Sequence, residues 1–137
     1  TAESCTGGHV AHKVTLVPNA SKFFTGSIVS YANSVKEQLL SVDINTIELY
    51  GVVSKDVVEQ MATNVAVALN SNCSIAVSGY MGPNGGQKGE PVGTVWIATK
   101  YNEEILSLKY NVGRSRKQNI ERTANLALLQ LIKMIGK

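Results

Sequence analysis

Two spacings of apolar residues alternate along this chain. Val10, Ala11, Val14 and Val17 recur at helical intervals, as do Val57, Val58, Met61, Ala62, Val65, Ala66 and Leu69. The second set follows Ser54, a good helix cap, and predicts a helix ending near Asn70. Asn33 to Leu40 also reads as helical, and Asp43 can cap a short helix through Ile47 and Leu49. A last helix runs from about Lys117 to Ile135. Its predicted buried stripe is Ile120, Ala124, Ala127, Leu128, Leu131, Ile132 and Ile135. Short apolar runs lie between the helices. Thr25 to Tyr31, built around Ile28-Val29, predicts a short buried strand, and Cys73 to Ser78 a central one. Val92 to Thr99 and Ile105 to Val112 predict two strands. The short polar connection around Asn102-Glu103-Glu104 implies that they pair antiparallel. In the second strand Leu106, Leu108, Tyr110 and Val112 alternate with Ser107, Lys109 and Asn111, as expected near a sheet edge. Helices and strands alternate first and a hairpin closes the chain. The predicted fold is a three-layer α/β/α sandwich with a mixed, mostly parallel sheet and a C-terminal antiparallel hairpin and helix.

Composition narrows this picture. A length of 137 residues predicts one domain over residues 1–137 with a real core. A hydrophobic share of 44% against 17% charged is that of an ordinary globular protein. The net charge of +3 is scattered, except for Arg114, Arg116 and Lys117. That is too sparse for a nucleic-acid face, and it suits a small anionic ligand. No apolar run reaches membrane-spanning length, and no signal peptide is recognisable. Cys5 and Cys73 lack metal-type spacing and are expected as reduced thiols in a cytoplasmic protein.

Chemistry concentrates in two places. In Thr1-Ala2-Glu3-Ser4-Cys5-Thr6-Gly7-Gly8, small hydroxyl and thiol side chains precede two glycines and a helical stretch. That order reads as a strand end, a tight turn and a helix start. Unpaired backbone N–H groups at such a start can hold an anion or an oxyanion, with Ser4 beside them. The same residues are also ordinary caps and turns. The second place is Gly79 to Gly86, too glycine-rich for helix or strand. It follows a strand, where α/β sheets commonly bind ligands, and its backbone can approach a ligand closely. A mobile surface loop is the plainer alternative.

Four segments in register carry a resemblance. They are Ala2-Glu3-Ser4-Cys5-Thr6-Gly7-Gly8, then Ser30-Tyr31-Ala32-Asn33-Ser34-Val35-Lys36, then Gly51-Val52-Val53-Ser54 with Met61-Ala62, and finally Ser78-Gly79-Tyr80-Met81-Gly82-Pro83-Asn84-Gly85-Gly86 with Pro91-Val92-Gly93-Thr94-Val95-Trp96. Together they resemble the CinA C-terminal domain family, over nearly the whole chain. The resemblance implies the same α/β/α architecture. It also implies an amidase that converts nicotinamide mononucleotide to the acid and ammonia, with no cofactor and no metal. The implied partner is a small pyridine nucleotide, without nucleic acid or membrane. A nucleotide-binding regulatory or interaction domain with little catalysis is the alternative. A homodimer is expected only because two-fold dimers are common.

Amide hydrolysis needs a nucleophile, a base, an oxyanion site and a proton for the leaving amine. Ser4 is the expected nucleophile. Lys36 is the expected base, because desolvation can bring a lysine to its neutral form. Tyr31 is expected to relay a proton or to orient Lys36. Backbone N–H groups around Thr6, Gly7 and Gly8 are expected at the oxyanion. Ser78, Gly79, Gly82, Gly85 and Gly86 are expected around the nucleotide, with Arg116 on its phosphate. Two departures from the family pattern leave room for change. Tyr80-Met81 replaces the commoner Gly-Ile-Ala-Gly-Pro form, and Gly113-Arg114-Ser115 replaces Gly-Asp, so Arg114 competes with Arg116. Cys5 is the competing nucleophile. It follows Ser4 directly, so in an extended segment the two point apart. His9 and His12, one helical turn apart, are alternative bases, and Glu3 is either an orienting group or a structural partner.

Overall fold

The computed structural model describes residues 1–137. Its strands are β1 (Ala2–Glu3), β2 (Ile28–Val29), β3 (Cys73–Gly79), β4 (Thr94–Tyr101) and β5 (Glu104–Asn111). Its helices are α1 (His9–Thr15), α2 (Asn33–Leu40), α3 (Ile44–Tyr50), α4 (Lys55–Ala68) and α5 (Arg116–Ile135). One five-stranded sheet has the order β2-β1-β3-β4-β5. β1 runs parallel to both β2 and β3, and β3-β4-β5 are antiparallel. The sheet is mixed, as expected. Its balance differs from the expectation: two pairings are parallel and two antiparallel, and the parallel ladders are the short ones.

Strand alternation sorts the two faces. Ala2, Ala76 and Ala98 stand in register across β1, β3 and β4. This row of small side chains lets α4 lie close, and Val57, Val58, Met61, Ala62 and Val65 fill the space above it. The opposite face carries Ile75, Val77, Val95 and Ile97, larger side chains covered by Val10 of α1 and by Ala124 and Ala127 of α5. Helices thus cover both faces, α2 to α4 on one and α1 with α5 on the other.

The connections create a crevice. From β1 the chain passes over one face through α1 and returns at β2, on one side of β1. It then crosses the other face through α2, α3 and α4 to reach β3, on the far side of β1. The direction of winding reverses at β1. In such sheets ligands bind at that switch point, outside the carboxyl ends of the strands. Ser4 follows β1, Ser30 and Tyr31 follow β2, and Gly79 closes β3.

Several expected caps are present. The Asp43 side chain accepts from Asn45 N–H, and Ser54 Oγ accepts from Val57 N–H. Ser115 and Gln118 form a reciprocal capping box at the start of α5. The buried face of α5 differs from the predicted stripe. It consists of Asn119, Thr123, Ala124, Ala127, Gln130 and Met134, whereas Ile132 and Ile135 are exposed. Polar groups turn the helix. Gln130 Nε2 donates to the Ile97 and Leu106 carbonyls, and its Oε1 accepts from the Tyr110 hydroxyl.

Candidate active site

Ser4 and Lys36 meet although 32 residues separate them. Lys36 lies on α2, on the face that packs against α4, and only 1% of it is exposed. Its Nζ is 3.1 Å from Ser4 Oγ, 2.7 Å from the Ser30 carbonyl oxygen and 3.1 Å from the Tyr31 carbonyl oxygen. No carboxylate pairs with it. Burial therefore holds the Lys36 amine below the ordinary lysine value. A neutral amine has two N–H groups and one lone pair. The two carbonyls take the N–H groups, and the lone pair is left for the Ser4 hydroxyl proton.

Cys5 points the other way. It lies among Val10, Ile75 and Val77 in the opposite core. Burial pushes its thiol up to about 12, so no thiolate forms near neutrality. His9 and His12 also stay clear of Ser4 and Lys36. His9 Nε2 contacts Glu121 Oε2 on α5, and Lys13 holds the other oxygen at 2.5 Å. Hydrogen bonds from Lys13 and His9 bring the Glu121 carboxyl down to about 2. His12 stacks loosely against His9, with ring centroids 6.0 Å apart.

Glu3 explains the turn that presents Ser4. Gly8 has φ 102°, a left-handed conformation suited to glycine, and α1 has no side-chain cap of its own. The Glu3 carboxylate reaches across instead. Its Oε1 accepts from Val10 N–H at 2.8 Å and from Thr6 Oγ1 at 2.6 Å, and its Oε2 accepts from Ala11 N–H at 2.8 Å. The start of α1 is thus already occupied by an anion of the protein itself. The Gly7 N–H is also spent, on the Ser4 carbonyl at 3.0 Å. Cys5, Thr6 and Gly8 N–H groups have no backbone acceptor. The Thr6 side chain is buried and bound to Glu3, so only its backbone can serve a ligand.

A cleft of about 330 Å³ opens in front of Ser4. Its walls are Cys5, Tyr31, Gly79, Tyr80, Met81, Gly82, Asn84 and Arg116. Gly79 is forced: a Cβ there would fall 2.7 Å from Val95 Cγ2 and 2.8 Å from the Thr94 carbonyl oxygen. The remaining expected residues lie elsewhere. Ser78 is buried and donates to the Val52 carbonyl at 3.0 Å, tying β3 to the loop before α4. Gly85 is exposed, and Gly86 packs on the Tyr80 ring while its N–H bonds the Glu90 carbonyl. Both lie outside the cleft wall. Arg116, not Arg114, lines it. Arg116 Nη1 donates to the Gly82 carbonyl at 2.7 Å and Nη2 to the Tyr31 hydroxyl at 3.1 Å. Tyr31 therefore meets Lys36 through its carbonyl and Arg116 through its phenol.

Two participants escaped the sequence reading. The Ser30 carbonyl holds Lys36, and the Ser30 hydroxyl beside it is buried without a partner. Asn119, fully buried, donates to the Met81 and Arg114 carbonyls and accepts from Arg114 N–H. It locks the glycine-rich loop to the start of α5. A larger apolar hollow of about 470 Å³, lined by Phe23, Phe24, Leu69 and Leu128, includes neither Ser4 nor Lys36. No three His, Cys, Asp or Glu side chains converge anywhere in the fold, and no helix is long and apolar enough to cross a membrane.

Comparison with known proteins agrees with this layout. A family model described as the CinA C-terminal domain matches residues 1–135. The CinA-like protein of Cytophaga hutchinsonii is 41% identical over 133 residues, which is 97% of this chain and 32% of that protein. The CinA-like protein of Thermosipho melanesiensis is 43% identical over 135 residues, or 98% of this chain and 34% of that protein. The chain thus spans about a third of the length of the curated relatives it matches. Among solved structures, the competence damage-inducible protein A of Klebsiella pneumoniae superposes with a TM-score of 0.96 at 28% identity, covering 98% of this chain and 84% of that one. The competence/damage inducible protein of Agrobacterium tumefaciens gives 0.92 at 34% identity, covering 96% and 81%.

Proposed function

The chain belongs to the CinA C-terminal domain family, and we propose that it is an amidase acting on nicotinamide mononucleotide through a serine acyl-enzyme. The observation that carries this reading is the buried Lys36 amine 3.1 Å from Ser4 Oγ, held by the Ser30 and Tyr31 carbonyls at 2.7 and 3.1 Å. A serine hydroxyl is a weak nucleophile until a neighbouring base takes its proton. Burial keeps Lys36 available for that task. The pyridine-nucleotide substrate comes from the resemblance read in the sequence. It is supported by a cleft with two tyrosines and one cation free of any carboxylate, Arg116.

The chemistry balances with these groups alone. Ser4 Oγ attacks the carboxamide carbon while Lys36 Nζ takes the hydroxyl proton. The free N–H groups of Cys5, Thr6 and Gly8 are the donors available to the oxyanion. The C–N bond then breaks, and the Lys36 ammonium returns its proton to the leaving nitrogen as ammonia departs. Water attacks the resulting ester and gives its proton to Lys36. Ser4 leaves as the alcohol, and the product is the nucleotide acid. Arg116 and the loop from Gly79 to Gly82 hold the nucleotide.

The test is ammonia release from nicotinamide mononucleotide by the purified protein and its Ser4→Ala variant. Activity that is lost in Ser4→Ala but survives iodoacetamide is expected. Activity abolished by iodoacetamide and retained in Ser4→Ala would assign the nucleophile to a cysteine. Arg116→Ala should weaken the mononucleotide far more than nicotinamide riboside, which lacks the phosphate.

A further inference from the structure

Tyr31 follows β2, with its main chain and its side chain engaged in different parts of the site. The carbonyl accepts from Lys36 Nζ, but the phenol, on a residue 60% exposed, reaches Arg116 instead. The same guanidinium donates to the Gly82 carbonyl. One side chain therefore joins the β2–α2 junction, the glycine-rich loop and the first residue of α5. All three segments line the cleft beside Ser4. No carboxylate neutralises Arg116, so its charge is met only by two uncharged oxygens. A guanidinium carries five N–H donors in one plane. Two contacts at different nitrogens set the direction of that plane and leave the other donors for an anion. With the phenol oxygen removed, a long exposed side chain would hang from a single tether.

We propose that Tyr31 is a positioning residue for anion recognition. Its hydroxyl holds Arg116 in the orientation that receives the phosphate of a mononucleotide, and it takes no part in proton transfer between Ser4 and Lys36. This rests on the reading of Arg116 as the phosphate ligand. It assigns phosphate discrimination to a side chain that the sequence alone suggests as a proton relay.

Tyr31→Phe tests it, because the change removes only an exposed hydroxyl. The KM for nicotinamide mononucleotide should rise about fivefold, the loss expected for one hydrogen bond. The kcat, the KM for nicotinamide riboside and the acid limb of the pH–rate profile should stay as in the wild type. Binding of inorganic phosphate, followed by titration calorimetry, should weaken about as much. In an Arg116→Ala background the substitution should change nothing further. A fall in kcat on both substrates, or a displaced acid limb, would return Tyr31 to the chemical step and overturn the proposal. If the wild type releases no ammonia, the amidase reading fails by itself and the phosphate titration decides. Tighter binding by the wild type than by Tyr31→Phe upholds the role of Tyr31. Equal affinities, or no binding by either, overturn it.

Discussion

The most exposing perturbation is Glu3→Gln, because it separates a structural carboxylate from a catalytic one. Glu3 is fully buried and one residue from Ser4. Its two oxygens accept from two backbone N–H groups at 2.8 Å and from the Thr6 hydroxyl at 2.6 Å, with Thr1 and Ser27 hydroxyls at 3.2 and 3.4 Å. A glutamine keeps one acceptor and puts an NH₂ in place of the other. The hydroxyls can rotate to accept from it. The backbone N–H groups of Val10 and Ala11 cannot, so one of them is left facing a donor. An unsatisfied buried group of this kind costs about 1–3 kcal/mol. Losing the negative charge at the start of α1 adds about 0.3–1 kcal/mol. The sum is roughly 1–4 kcal/mol.

For a domain of this length each kcal/mol moves the melting temperature by about 3–4 °C, so Glu3→Gln should melt roughly 4–16 °C lower. Thermal unfolding by circular dichroism reads the shift, and a urea midpoint checks that it is a change in stability. Thr6→Val, which removes one hydroxyl donor and leaves both backbone bonds, should cost less. A Glu3→Gln protein with a wild-type melting temperature and no activity would refute the assignment. The carboxylate would then be acting on the reaction and not on the turn that presents Ser4.

Further expectations concern Lys36, the thiols and Asn119. Burial lowers the Lys36 amine, so the unfolded chain binds a proton there at pH values where the folded chain does not. Its stability contribution is therefore present above the ordinary lysine value and is lost as pH falls through the lowered one. Lys36→Met should flatten that part of the stability–pH curve and abolish turnover. Lys36→Arg, which cannot deprotonate in the working range, should be equally inactive; near wild-type turnover in it would remove Lys36 as the base. With a thiol held near 12, Cys5 should resist iodoacetamide at neutral pH until urea unfolds the protein, and native-state labelling of Cys5 by mass spectrometry would contradict its burial. Asn119→Ala breaks three hydrogen bonds of 2.7 to 2.9 Å. It should cost roughly 2–3 kcal/mol in urea unfolding and raise the KM for the mononucleotide.

What the sequence made legible was local. The caps at Asp43 and Ser54, the apolar spacing of α4 and the short link before β5 each act within a few residues, and each reads directly. The face of α5 did not, because its strongest polar anchors are Asn119 and Gln130. Polar residues at those positions look like solvent residues until their distant partners are known. Lys36 shows the same limit from the other side. Its apolar neighbours suggested partial burial, yet Leu39 is 58% exposed. The groups that hold the amine are main-chain carbonyls of Ser30 and Tyr31, and a carbonyl leaves no mark on composition or spacing. Ser78, expected at the ligand, spends its hydroxyl on the Val52 carbonyl for the related reason that a motif names a segment and not the direction each side chain takes.

The placement of Ser4 also has an economy that bears on mechanism. The parallel ladders on either side of β1 are two residues long, too short to fix a catalytic side chain by themselves. Glu3 supplies the rest. Its carbonyl accepts from Ser30 N–H at 2.8 Å, which sets the β2 end and with it the carbonyls that hold Lys36. Its carboxylate caps α1, which fixes the turn that follows Ser4. Main chain and side chain of one residue thus couple the β2 end, whose carbonyls hold Lys36, to the turn that follows Ser4. A change at Glu3 should therefore disturb both together, whereas a change at Tyr31 or Arg116 should leave that coupling intact and alter only how the nucleotide is held.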